Sequence, residues 1–154
     1  MRKDKLTKLI AVFDQFYNSM MQLDDPTSKR LIENWNGIRH NYVNPVSASR
    51  SALAAGMEQG LREKSLLLQS MHAELRKEAA EALEAAIAEN YPEFLAKDAD
   101  RITKIKTRGA IRSDNEFYLV RHHADLLESN PSQQEELQLL YQLLDRFESR
   151  ARHA

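Results

Sequence analysis

Ser113 to Glu128, SDNEFYLVRHHADLLE, gathers two adjacent histidines, a tyrosine and several carboxylates into one run. These are the residue types of general acid–base catalysis and of metal ligation. Either chemistry requires the side chains to converge. On a helix, where each residue turns about 100°, Phe117, Val120, Ala124 and Leu127 fall on one arc and Leu119 with Leu126 on another. His123 and Glu116 lie between the arcs, two turns apart, and form the polar pair of interest; His122 lies near the polar edge beside Tyr118. Adjacent helical residues point in different directions, so His122 and His123 do not ligate one metal or form one dyad. A di-metal bundle needs Glu-x-x-His pairs, but the residue three after Glu116 is Leu119. Neither an HExxH nor an EF-hand pattern occurs, and there is no P-loop, GxGxxG or nucleophile-elbow turn. The expectation is no catalytic residue, no metal and no cofactor. His123 is read as a hydrogen-bonded or interface histidine, and Glu116 as the partner of Ser113 in a capping box.

The elements that position these residues are legible in the apolar spacing, which runs in threes and fours along nearly the whole chain, with only 4 glycines and 4 prolines to interrupt it. The fold class is therefore all-α: a single helical bundle of about six helices with one long central helix. It is read as one domain over 1–154, with a weak sub-boundary near Tyr91 and a frayed tail over 150–154. The first helix runs from about Lys3 to Leu23. Asp24-Asp25-Pro26 stops it and caps the second, whose stripe is Leu31, Trp35, Ile38 and Tyr42, ending at Asn44-Pro45. Trp35 belongs either to the core or to an interface. From Leu53 to Asn90 the helical spacing continues unbroken, and this is the long helix, the spine of the bundle. Its alanine-rich second half establishes helicity, since alanine is the best helix former, without establishing close packing. A fourth helix spans about Pro92 to Arg108 with Gly109 as its C-cap, and capping boxes at Ser113/Glu116 and Ser132/Glu135 start the last two.

The 22 basic and 23 acidic residues nearly cancel, which argues against a general polyanion binder. The charges are nevertheless segregated. Glu74, Glu78, Glu81 and Glu84 line one side of the long helix, and Arg101, Lys104, Arg108 and Arg112 follow soon after. Both groups are candidate partner-binding surfaces. Cations at a helix C-terminus are also expected from the dipole alone, and no aromatic platform accompanies them, so nucleic acid ranks below protein as a partner. The absence of cysteine removes thiol chemistry and disulfides and fits a reducing compartment. No segment reaches the roughly 20 apolar residues of a membrane span. A cytoplasmic protein with no membrane partner is expected. Homodimerisation through the long helix and its alanine stripe stays open.

KIKTRGAIRSDNEFYLV, ADLLE and LQLLYQLLDRFE, within Lys104 to Glu148, resemble a C-terminal helical module of small uncharacterised bacterial proteins, some of which are immunity factors accompanying secreted toxins. The resemblance implies binding and carries no catalytic motif. The expected function is that of a non-enzymatic protein–protein interaction protein, an immunity or regulatory partner of a toxin or enzyme. The alternatives are a small helical enzyme using His123 and Glu116, and a nucleic-acid-binding regulator using Arg101 to Arg112.

Overall fold

The structure is a computed structural model that describes residues 3–128 and 130–152, and every regular element among them is helical. The chain divides into two compact units, Met1–Pro92 and Glu93–Ala154.

The first unit holds α1 (Lys5–Met20), α2 (Pro26–Val43), α3 (Arg50–Arg62), α4 (Lys64–Leu68) and α5 (Ala73–Asn90). Three helix starts are capped by side chains that accept from a free backbone N–H: Asp4 from Thr7 at 3.0 Å, Asp25 from Ser28 at 3.1 Å and Ser49 from Ala52 at 3.1 Å. Pro26 occupies the first turn of α2, where its missing N–H is no loss. Helix α1 is the spine. It packs on α2, α3 and α5, and Leu6, Leu9, Val12, Phe13, Phe16, Tyr17 and Met20 are all buried. The buried side of α5 is Ala79, Ala80, Leu83, Ala86 and Ile87, and the three alanines have no exposed surface. Small side chains here admit a close neighbour as well as favouring the helix.

The expected long central helix is three helices, bringing the total among the described residues to eight rather than six. It breaks at Glu63 and again between Leu68 and Ala73. Three consecutive leucines cannot all face one interior from a continuous helix. Leu68 and Met71 face inward, and Leu66 and Leu67 stay exposed. Ser70 Oγ donates to the Leu67 carbonyl at 2.7 Å, offering the backbone an alternative to helix.

The second unit holds α6 (Pro92–Arg108), α7 (Asp114–Leu127) and α8 (Gln134–Arg152), with a 3-10 turn at Pro131–Gln133. Gly109 ends α6 at φ +80°, a left-handed conformation in which a Cβ is strained, and its N–H donates to Ile105 O at 2.9 Å. Helices α7 and α8 pack on each other around Ile102, Ile105, Ile111, Leu119, Val120, Ala124, Leu137, Leu140, Leu143 and Leu144. Phe117 stacks on Phe147 at 5.4 Å between ring centroids. The Ser132/Glu135 capping box is replaced. Asn130 Oδ1 accepts from Ser132 N at 3.2 Å and from Ser132 Oγ at 2.7 Å, because Pro131 takes a first-turn position and moves the cap upstream. Helix α8 continues to Arg152 where a frayed tail was expected; His153 and Ala154 lie outside the described residues. Among the described residues no helix is long and apolar enough to cross a membrane.

Candidate functional site

Glu116 and His123, the polar pair on α7, are engaged with different partners. Glu116 N donates to Ser113 Oγ at 3.2 Å, as a capping box requires. The Glu116 carboxylate does not reach the N-cap residue itself. It accepts from the Arg112 backbone N–H at 2.8 Å and from the Arg108 guanidinium, closing the turn that joins α6 to α7 around Gly109. His123 sits in the field of Glu136 and Lys106, which form an ion pair at 2.7 Å. Burial pushes the His123 imidazole down, against the pull of Glu136. The Glu116 carboxylate is thus committed to holding the turn between α6 and α7. Glu116→Ala should destabilise the second unit by about 1–2 kcal/mol, the scale of a hydrogen bond to a charged group, as read by chemical denaturation.

His122 departs further from expectation. It is half-buried, and burial pushes the imidazole down to about 4, with Asp125 opposing and His123 reinforcing. Asp125, overlooked in the sequence, is only 2% exposed and accepts from Arg121 Nη2 at 2.8 Å. The same Nη2 donates to Glu128 at 3.2 Å, and Tyr141 from α8 donates to Glu128 at 2.7 Å. The stripe Arg121, Asp125, Glu128 is thus a polar seam on α7. Among the described residues no group of three or more His, Cys, Asp or Glu side chains is placed to hold a metal ion.

The charged candidates fall on open surface in part. On α5, Glu74, Glu78 and Glu81 are exposed, and Glu84 is half-buried. Three cations of the basic segment are paired: Arg101 with Asp98 at 3.4 Å, Lys106 with Glu136, and Arg108 with Glu116. Lys104 and Arg112 are exposed. Ion pairing lowers the positive field that phosphate recognition needs.

A different surface is built in the first unit. Ala11, Asp14 and Asn18 recur at helical spacing along α1, with Met21 just past its end, and Ile32, Trp35, Asn36 and Arg39 lie along α2; together with Gln15 and Tyr17 they line an open groove of about 700 Å³. Trp35 is only 4% exposed and packs against Phe13, Tyr17 and Tyr42, so it is a core residue whose edge reaches the groove. Its indole N–H donates to Asp14 Oδ1 at 2.9 Å, and Arg39 grips both oxygens of Asp14 at 2.8 Å. Burial pushes the Asp14 carboxyl up, but the bonds from Arg39 and Trp35 outweigh it, and the net position is below the ordinary value. Met21 stands at the rim with 66% of its surface exposed.

Beneath the same aromatic cluster lies Lys64, the most consequential residue that sequence reading missed. Its ammonium is buried, donates to Tyr17 Oη at 2.5 Å and sits 5.1 Å from the ring centroids of both Phe13 and Tyr17. Burial pushes the amine down to about 8, opposed by Glu63, and burial pushes the Tyr17 phenol up to about 12. The signal was in the spacing: Met57, Leu61, Lys64, Leu68 and Met71 run 4-3-4-3, so Lys64 takes a core position in an otherwise apolar stripe. Comparison with known protein families, with curated proteins and with solved structures finds no match for this chain.

Proposed function

We propose that the protein works by binding another protein, with the α1–α2 groove as the docking surface, in the role of an immunity or regulatory partner of a toxin or enzyme. The observation that carries this reading is the groove itself: an aromatic and aliphatic floor of Tyr17, Trp35 and Ile32, an exposed Met21, and a rim of amides closed by the Asp14–Arg39 pair. Its open shape and polar rim suit an amphipathic helix laid along it with an apolar anchor over Trp35. Of the large hydrophobics with substantial exposure, Met21, Ile38, Val43, Val46, Leu66 and Leu67 belong to the first unit and Leu139 to the second, which points to the same part of the chain. The acidic face of α5 then serves to steer a basic partner rather than to anchor it.

The test begins with the tagged protein captured from its native host at moderate salt and the co-purifying protein identified. The purified partner is then titrated against wild type, Met21→Glu, and Glu74→Lys with Glu78→Lys. The chain's 1 tryptophan lines the groove, so its emission reports occupancy directly. Met21→Glu should weaken binding about 10-fold or more, as expected for a charge placed at an apolar contact, while the α5 double variant mainly slows association. Undiminished binding by Met21→Glu, or an indole signal that ignores the partner, would move the interface off the groove.

A further inference from the structure

Residues 63–72 cross from α3 to α5 as a strap over the α1 aromatics, and two polar groups of the strap are buried on poor terms. The Lys64 ammonium has Tyr17 Oη and two ring faces for company, and among the described residues no carboxylate is ion-paired with it. Gln69 Nε2 is buried with no hydrogen-bond partner among the described residues. The regular structure is thin as well. Helix α4 spans only Lys64–Leu68 and has no side-chain cap, and Gln69, Ser70 and Met71 close 3-residue turns back to Leu66, Leu67 and Leu68. Against this stand the packing of α4 on α5 and α3, the burial of Leu68 and Met71, and a weak contact from Ser70 Oγ to Thr27 Oγ1 at 3.5 Å. Two apolar side chains offset by a desolvated ammonium and an unmatched amide leave little net attachment.

We infer that the strap, residues 63–72, is a lid that lifts from α1 and α5 as a unit, baring Phe13 and Tyr17 while α1, α3 and α5 stay folded. Lifting returns the ammonium and the amide to water, and segments with few buried contacts open at free energies well below that of global unfolding. The ring centroids of Phe13 and Tyr17 lie 5.3 Å and 5.9 Å from that of Trp35, so an open lid extends the apolar floor of the α1–α2 groove. That consequence rests on the groove being the docking surface; the opening itself does not.

The chain has no cysteine, so a single introduced thiol reports opening without interference. Leu68→Cys and Met71→Cys place the thiol under the lid, and Val12→Cys places it on α1, where only global unfolding exposes it. In buffer without partner, the two lid thiols should react with a small disulfide reagent at rates within about 2-fold of each other and about 100-fold faster than the α1 thiol of Val12→Cys, with little dependence on low urea concentrations. Adding Lys64→Met should slow the lid thiols about 10-fold by removing the buried charge that favours opening. Lid thiols that react only as fast as the α1 thiol with the same urea dependence, or that are not slowed by Lys64→Met, would overturn the lid. Neither result bears on the groove titration. Two lid reporters guard against one substitution loosening the strap by itself.

Discussion

Lys64→Met should stabilise the protein at pH 7 by about 2 kcal/mol. Burial holds the Lys64 amine near 8 instead of its ordinary 10.5. At about 1.4 kcal/mol per unit, keeping this lysine charged in the folded state costs roughly 3 kcal/mol at neutral pH. Methionine fills the same slot with no charge to desolvate, and the hydrogen bond that Tyr17 Oη loses in the variant takes back about 1 kcal/mol of the gain. The same group gives wild type an unusual alkaline profile. Between about 8 and 10 the folded state has released the Lys64 proton while the unfolded state still holds it, so stability rises with pH. Above about 10 the trend reverses. Tyr17 and Tyr141, whose phenols are pushed up to about 12, keep in the folded state protons that the unfolded state loses. Urea denaturation at pH 7, 8, 9 and 10 measures both effects. Wild type should gain about 2 kcal/mol across the series and Lys64→Met should stay nearly flat. A variant less stable than wild type at pH 7 would mean that the cage more than compensates the buried charge.

The acid side should belong to His122. Its folded-state position is about 4 against an ordinary 6.5, so as pH falls through that window the unfolded state takes up a proton that the folded state refuses. Stability is full above 6.5 and falls by up to about 3 kcal/mol by pH 4, with the lowered His123 adding in the same direction. The carboxylates do not confuse this window. Asp4, held well below the ordinary range by its bonds from Arg50 and Thr7, and Asp14, held by Arg39 and Trp35, cost stability only below their ordinary value near 3.8. His122→Leu should therefore remove most of the loss between pH 6.5 and 4.5, leaving the steeper fall below 4 in place, as read by thermal or urea melts. An unchanged slope in that interval would show that the His122 ring is solvated.

Helical class, the starts of α2, α6 and α7, and the Gly109 stop were legible because they are local. A proline at a first turn, an aspartate or serine N-cap and a glycine at positive φ each act within a few residues. Asp25 before Pro26, and Ser113 before Glu116, are such cases. The Ser132 cap read from the sequence is displaced to Asn130, two residues upstream, because Pro131 takes the first-turn position. Periodicity likewise identified the two apolar arcs of α7, whose Leu119, Val120 and Ala124 enter the core.

What the sequence alone determined about this protein is its helical character and several of its capped boundaries, since propensity and capping are properties of short segments; in the α2 stripe Ile38 is exposed, not buried. Only the tertiary structure decided that the region over 53–90 is three helices, that α1 is the spine, that Lys64 lies under an aromatic cage and that Trp35 borders a groove. Each of these depends on which distant residues meet. Lys64 is tolerated at a core position because Phe13 and Tyr17 arrive from a helix more than forty positions away in the chain. Glu116 and His123 share one helix, yet they separate into different networks because Arg108 and Glu136 reach them from opposite sides in sequence.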